Sequence, residues 1–349
     1  MTDRPTADRR IAEAQESRPP GPLPLVSVLV PTFRRPRLLP KALASLLAQE
    51  GLPTAAMEIL VIDNCPDASA RAIVARIALS APADRPLRYL HEPRPGISHP
   101  RNAGIAAARG RYVLFLDDDQ TASPGLLGAY LDASRATAAD ALFGPVKAIL
   151  EPAPGDGSSE ETDAAGDQDA DMAAYFSRRY DVADRADITD DIARLGTNNA
   201  FFDRTVCFPD PDPFDPDLGT IGGEDTLVFR TLAARGIRFA WVAGALAHEF
   251  VPQQRQNFRY VRMRRFRSGQ IRVLTCLRMR PARRRQAAVW MAAGLVQTVG
   301  YGIVAAMLRA AGRHRWRHFA GRAWGGAGKL LWMERFRFAA YGATSRLSR

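Results

Sequence analysis

The chain has few cysteines, almost no acid in its last third, and a single long stretch without charge. Cys65, Cys207 and Cys276 are its only cysteines. They are widely spaced and form no CxxC pair, so neither a disulfide framework nor a zinc site is expected, which fits a reducing compartment. The first residues, MTDRPTADRR, are polar and lead into no apolar core, so no secretory signal is expected. Between Phe250 and Met333 there is no Asp or Glu, against 17 Arg and one Lys. Residues 1–249 carry 26 basic and 36 acidic side chains. The net charge of +11 is therefore an average over an acidic part and a strongly basic part. That separation predicts a basic face for an anionic partner, either membrane lipid or nucleic acid.

What is present is enough for a large core: 349 residues, 46% of them hydrophobic. Residues 1–24 are polar and Pro-rich and read as a disordered lead-in. Strands are expected over 25–30, 57–62, 87–91 and 112–116, with helices over 38–49, 69–79 and 101–109 between them. Residues 93–100 read as a loop. This alternation predicts an α/β fold with a mostly parallel sheet and helical crossovers. A helix over 124–137 and one strand over 141–150 follow. Residues 151–171 hold eight acids and no bulky apolar residue, and read as a disordered surface insertion. A helix over 226–235 and a strand over 238–245 close this part.

The candidate chemistry sits where predicted strands end. Tyr112 to Leu116 runs directly into Asp117, Asp118 and Asp119. Acids at the end of a buried strand are costly unless a cation or hydrogen bonds meet them. Hard divalent ions take carboxylate oxygens and often bridge to phosphates. The stretch is thus either a metal–diphosphate site or a solvated acidic turn. Asp63 and Asn64 end another strand and suit either a turn or recognition of a nucleotide base. Arg101 and Asn102 open a helix, where phosphate is attracted. Glu224 and Asp225 follow two glycines and open a helix. They are either helix-capping acids or a general base for an acceptor hydroxyl. His248 is either structural or, placed next to the three acids, a metal ligand.

The segments VSVLVPTFRR, VIDN, GISHPRNAGIAAARGRYVLFLDDD, GTNNAFFDR and GGEDTLVFRTLAARG, in that order, resemble a family 2 glycosyltransferase over about residues 25–250. Within the family the likeness is to transferases of bacterial exopolysaccharide assembly, of the succinoglycan type. The resemblance implies a GT-A fold, a nucleotide-sugar donor (usually of uridine), a divalent metal (Mg or Mn) and inversion at the anomeric carbon. Pro31, Thr32, Phe33 and Arg34 would line the nucleotide pocket, and Asp63 would meet the base. Arg101 and Asn102 would lie near the ribose and diphosphate. Asp117 and Asp119 match the outer acids of the DXD motif, with Asp118 between them as a further donor contact. Asp119, Asp117 and His248 would hold the metal. Asp225 matches the catalytic base of the ED motif, with Glu224 beside it. Asn198, Asn199 and Gly223 would face a saccharide or polyprenyl-linked acceptor.

The basic part, 251–349, is expected to be helical and associated with an anionic membrane surface. Arg255 to Arg285 contains twelve arginines, and the resemblance places an Arg-rich helix here near the donor diphosphate. Gln286 to Leu308 is 23 residues without charge, about 35 Å as a helix. It reads as embedded in or lying on the membrane rather than spanning it; the alternative is a soluble cap whose apolar residues are core. Trp316, Phe319, Trp324, Trp332, Phe336 and Phe338, interleaved with Arg, suit a lipid headgroup zone. The expected activity is sugar transfer at the cytoplasmic face of the membrane. The alternative is a nucleic-acid-binding protein using the Arg-rich part. The acidic first part and the lack of a base-reading motif speak against nucleic acid as a partner.

Overall fold

The computed structural model describes residues 25–53, 56–152 and 167–340. The lead-in 1–24 and most of the acidic insertion lie outside the described residues. Val26–Thr32 (β1) and Met57–Asp63 (β2) are buried along their whole length. Such runs belong in a parallel sheet covered on both faces. β2 continues to Leu87–His91 (β3), and Tyr112–Phe115 (β4) pairs on the other side of β1. The helices Leu39–Leu47 (α1), Arg71–Ala78 (α2) and Ser98–Ala107 (α3) make the crossovers. Val28 and Val30 join one core cluster and Leu29 the other, so alternate side chains fill the two faces. The 93–100 loop is shorter than expected, because α3 begins at Ser98 rather than at Arg101.

After β4 come Gln120–Ala122 (β5), Leu126–Ala136 (α4), Ala141–Phe143 (β6) and Val146–Leu150 (β7). The single strand expected over 141–150 is therefore two strands in two sheets. Gly144-Pro145 separates them, and Pro has no N–H to continue a ladder. The end of the acidic insertion also departs from expectation: Asp167–Phe176 (α5) is a helix. Phe176 is buried with Ala148 and Val251, so packing orders what composition alone leaves loose.

Ala200–Asp203 (β8) runs antiparallel between β4 and β6. The short helix Arg204–Cys207 (α6), Glu224–Ala234 (α7), Phe239–Trp241 (β9) and Ala247–Val251 (β10) follow. The large sheet has the order β3-β2-β1-β4-β8-β6-β9, and β5-β10-β7 form a second, small sheet. The strand expected over 238–245 is thus three residues long.

Phe258–Arg278 (α8), Arg284–Ala310 (α9) and Trp316–Leu330 (α10) complete the fold. α8 and α10 meet closely: a Cβ on Gly269 would strike the Gly325 carbonyl, and one on Gly328 the Phe266 carbonyl. The outer side of α9 is uncovered, with Val289, Val296 and Met307 each about two-thirds exposed or more (66%, 72% and 67%). The soluble-cap alternative therefore does not describe this face. The aromatic residues expected at a headgroup zone are partly packed against the neighbouring helices, while Trp324 stays 41% exposed. Trp316 and Trp324 lie edge-on to Phe258 and Phe266 of α8, and Trp332 packs beside Val273, Cys276 and Ala287.

Candidate functional site

The carboxyl ends of β1, β2 and β4 lie side by side, the position where open α/β sheets bind ligands. They border a cavity of about 850 Å³. Pro31, Thr32, Phe33 and Arg34 line it, as do Asp117, Asp118 and Asp119. Arg34 is in the left-handed region (φ 54°), ion-paired to Asp67 and stacked over Phe33. Asn64 lines the cavity, but Asp63 stands behind it. Asp63 is fully buried and accepts from Cys65 N, Ala70 N and Tyr89 Oη. Its lone pairs are spent on the turn after β2, which is the alternative reading of that residue.

The three acids have different surroundings. Asp118 accepts from Thr32 Oγ1 at 2.7 Å and from Phe33 N at 3.2 Å, tying β4 to the end of β1. Asp119 lies 3.5 Å from Arg35 Nη2 and 3.6 Å from Arg255 Nη1. Burial, then the Asp119 charge, pushes Asp117 up to about 6 and Asp118 up to about 7.

The small sheet brings a fourth carboxyl group. β10 lies beside β5, with Glu249 opposite Gln120, and Phe250 N donates to the Asp119 carbonyl. Glu249 lines the cavity. Burial and the Asp119 charge push its pKa up to about 7. Strand alternation sends His248 the other way, beside Lys147; burial and that cation hold the imidazole below its ordinary pKa. The structure therefore brings Glu249, not His248, to the acids. An alternating strand with one inward acid was the signal for it.

More of the cavity lining comes from α7 and the 196–199 loop. Gly222 and Gly223 both have positive φ (89° and 98°), which aims the start of α7 at the cavity. A Cβ on Gly223 would lie 2.9 Å from Ile271 of α8. Asp225 lines the cavity, and its Oδ1 accepts from Thr226 N at 2.6 Å. Glu224 points inward, is 1% exposed and is ion-paired to Arg101. Burial and Asp225 push Glu224 up to about 7, and its Oε2 has no hydrogen-bond partner. Arg101 lines the cavity and lies over Phe214. Asn102 does not reach the cavity: its amide makes both hydrogen bonds to the Phe214 backbone.

The two asparagines of the loop part company. Asn198 lines the cavity and reaches Glu249 at 3.4 Å. Asn199, with φ 59°, turns inward to Tyr130 Oη, Pro145 O and Ala245 O. Arg178, which no local sequence pattern marks, holds this loop. Its guanidinium donates to Gly144 O, Gly196 O, Asn199 O and Asn198 Oδ1.

Comparison with known proteins places this architecture. Residues 27–206 match the model of glycosyl transferase family 2. The succinoglycan biosynthesis protein ExoM of Rhizobium meliloti is 33% identical over 246 residues, 70% of this chain and 73% of ExoM. The GalNAc(5)-diNAcBac-PP-undecaprenol beta-1,3-glucosyltransferase of Campylobacter jejuni is 33% identical over 110 residues, 31% of this chain and 34% of that protein. A solved structure of mannosyltransferase PcManGT from Pyrobaculum calidifontis, in complex with GDP-Man and Mn²⁺, superposes with a TM-score of 0.51 at 18% identity. It covers 93% of this chain and 94% of that chain, and shows the shared fold. With the family matched over more than half of its length, the chain belongs to glycosyl transferase family 2 and has an α/β fold of the GT-A type.

Proposed function

We propose that the cavity binds a nucleotide sugar, a uridine one in the first instance, and passes its sugar with inversion to a saccharide or polyprenyl-linked acceptor. The setting is cell-surface polysaccharide assembly at the cytoplasmic face of the membrane. One observation carries the reading: a single cavity is lined both by the buried acids after β4 and by the carboxylate of Asp225 at the start of α7. Inversion needs the acceptor's base on the face opposite the leaving diphosphate. The names of ExoM and of the Campylobacter relative support the pathway and the acceptor class.

The acids fit a hard divalent cation in type. They are oxygen donors only, and burial together with like charge makes the ionised forms of Asp117 and Glu249 costly, a cost that a cation would relieve. Among the described residues no three such groups already converge as a ligand set. Mg²⁺ is usually held by one or two carboxylates plus phosphate oxygens and water. Asp119 and Asp117 would be the first ligands, with Glu249 in the place expected for His248. The ion would supply charge neutralisation of the leaving diphosphate.

The chain's own residues do the rest. Pro31, Thr32, Phe33 and Arg34 form the floor for the nucleotide. Asp225 takes the acceptor proton. Glu224 fixes Arg101 at the cavity edge, while Asn198 and Gly223 border the acceptor side. The test is binding of UDP and GDP by calorimetry with Mn²⁺ and with chelator. Nucleotide affinity that depends on Mn²⁺ and disappears in Asp119→Ala is expected; equal affinity with and without chelator overturns the site.

A further inference from the structure

The arginines around the cavity divide into two groups. Arg255 lies against Asp119, and Arg264 is under the influence of Glu249. Eight residues further along α8, about 12 Å at 1.5 Å per residue, Arg272 lines the same cavity. Arg230 of α7 lines it too. Neither Arg230 nor Arg272 has a carboxylate within 4 Å among the described residues. Arg230 is only 8% exposed, donates to Cys276 Sγ, and has a buried Nε without a partner. Burial and then the Arg230 charge hold Arg272 below its ordinary pKa; Asp191 acts on it only from a distance. Behind them Lys329, 4% exposed, donates to Gln297 Oε1 at 2.6 Å. Arg272 and Lys329 flank the ring of Trp290 in α9, at 5.0 and 5.1 Å.

Buried cations without an anion are costly, and their removal from water is recovered only when an anion arrives. This group sits at the Asp225 end of the cavity, since Ile271 packs on Gly223. It also adjoins the uncovered apolar helix α9. We propose that Arg230 and Arg272, with Lys329 behind them, form a second anion subsite, which takes the diphosphate of a lipid-linked acceptor. The proposal deepens the sugar-transfer reading and rests on it for the acceptor's role. It places the acceptor diphosphate by Arg230 and Arg272, near Asp225, and the donor diphosphate by Asp117 and Asp119. The lipid tail then leaves along α9, and the acceptor hydroxyl is presented to Asp225.

The test uses the full chain in detergent, with farnesyl diphosphate as the probe and farnesol as its neutral control. Arg272→Gln and Arg230→Gln are each expected to weaken farnesyl diphosphate binding roughly tenfold or more, the loss of one charged hydrogen-bond donor. Arg272→Lys keeps most of it. UDP binding with Mn²⁺ is expected to stay unchanged in all three, which also reports that they fold. Arg272 is only half-buried, so its variants remain informative where Arg230→Gln does not fold. Unchanged farnesyl diphosphate affinity in Arg272→Gln overturns the subsite. A parallel fall in UDP affinity also overturns it, by moving the guanidinium to the donor. So does an equal fall in binding to phosphatidylglycerol vesicles, which makes Arg272 a contact for bulk lipid. If the wild-type chain binds farnesyl diphosphate but no nucleotide with metal, the subsite stands and the sugar-transfer reading falls. If it binds nucleotide with metal but farnesyl diphosphate no better than farnesol, the subsite falls and that reading stands.

Discussion

Asp225 and Glu224 are neighbours in the chain with opposite environments. Asp225 gives Oδ1 to Thr226 and keeps Oδ2 without a hydrogen-bond partner among the described residues. Glu224 is buried against Arg101. Asp225→Asn is expected to leave UDP–Mn²⁺ affinity intact while turnover falls about 10²- to 10⁴-fold, the usual share of a general base. Lost nucleotide affinity with turnover at saturation preserved would give Asp225 a binding role instead. Asn198 and Asn199 make the same point. Their sequence, one Asn after another, cannot say which faces the ligand; the left-handed backbone at Asn199 decides it. Asn199→Ala leaves the Ala245 carbonyl without its donor, at about 1–3 kcal/mol for a buried group left unsatisfied, removes the amide's bonds to Tyr130 Oη and Pro145 O, and puts Ala at a left-handed backbone position. It should lower the denaturation midpoint strongly, whereas Asn198→Ala should spare the midpoint and change turnover. Similar midpoints for the two variants would refute that division. The three acids were legible as cavity-lining because residue type and strand end coincide, and Asp225 because it follows two glycines at a helix start. Asp63 and Asn102 were not, because their buried partners, the turn after β2 and the Phe214 backbone, are set by tertiary structure.

At the level of elements, the central sheet was legible and the small one was not. β1, β2 and β4 are continuous apolar runs between helical repeats, a local signal. β5 has three residues and β10 five, and they pair across more than a hundred positions. No window of sequence contains that pairing, so Glu249 was passed over for His248. Burial and the Asp119 charge make the acid cluster pH-sensitive, and the small sheet adds Glu249 to it. The folded state holds the protons of Asp117, Asp118 and Glu249 more tightly than the unfolded chain does, with pKa values of about 6, 7 and 7. Stability from this source is fully present below the ordinary carboxyl range and is lost as pH rises through about 6 to 7. In chelator, the melting temperature should therefore fall over that window. Mn²⁺ with UDP should reverse the fall at its upper end, and Glu249→Gln should flatten it. A melting temperature in chelator that is level or rising across the window would contradict the arrangement.

At the scale of the molecule, the segregated charge and the uncharged run were plain in the sequence, but which residues stay outside was not. Trp316 and Trp324 of α10 lean on α8, though Trp324 stays exposed, and most of the exposed apolar surface belongs to α9. Its stripe of Val289, Val296, Val299, Ile303 and Met307 recurs at helical spacing on the open side. Arginines stand at both ends, Arg283, Arg284 and Arg285 before it and Arg309 and Arg313 after it. Anionic lipid attracts basic residues at about 1 kcal/mol each near the surface, and the stripe adds insertion into the acyl boundary. The full chain is expected to cosediment with vesicles of phosphatidylglycerol and much less with neutral phosphatidylcholine. Val296→Glu combined with Ile303→Glu puts charge in the middle of the stripe without touching the cavity. It should leave the low-salt attraction in part and abolish the binding that survives high salt. Vesicle binding that vanishes at high salt in the wild type makes α9 a purely electrostatic contact. A full chain that ignores anionic vesicles at low salt removes the membrane from the proposal, and the acceptor must then be met in solution.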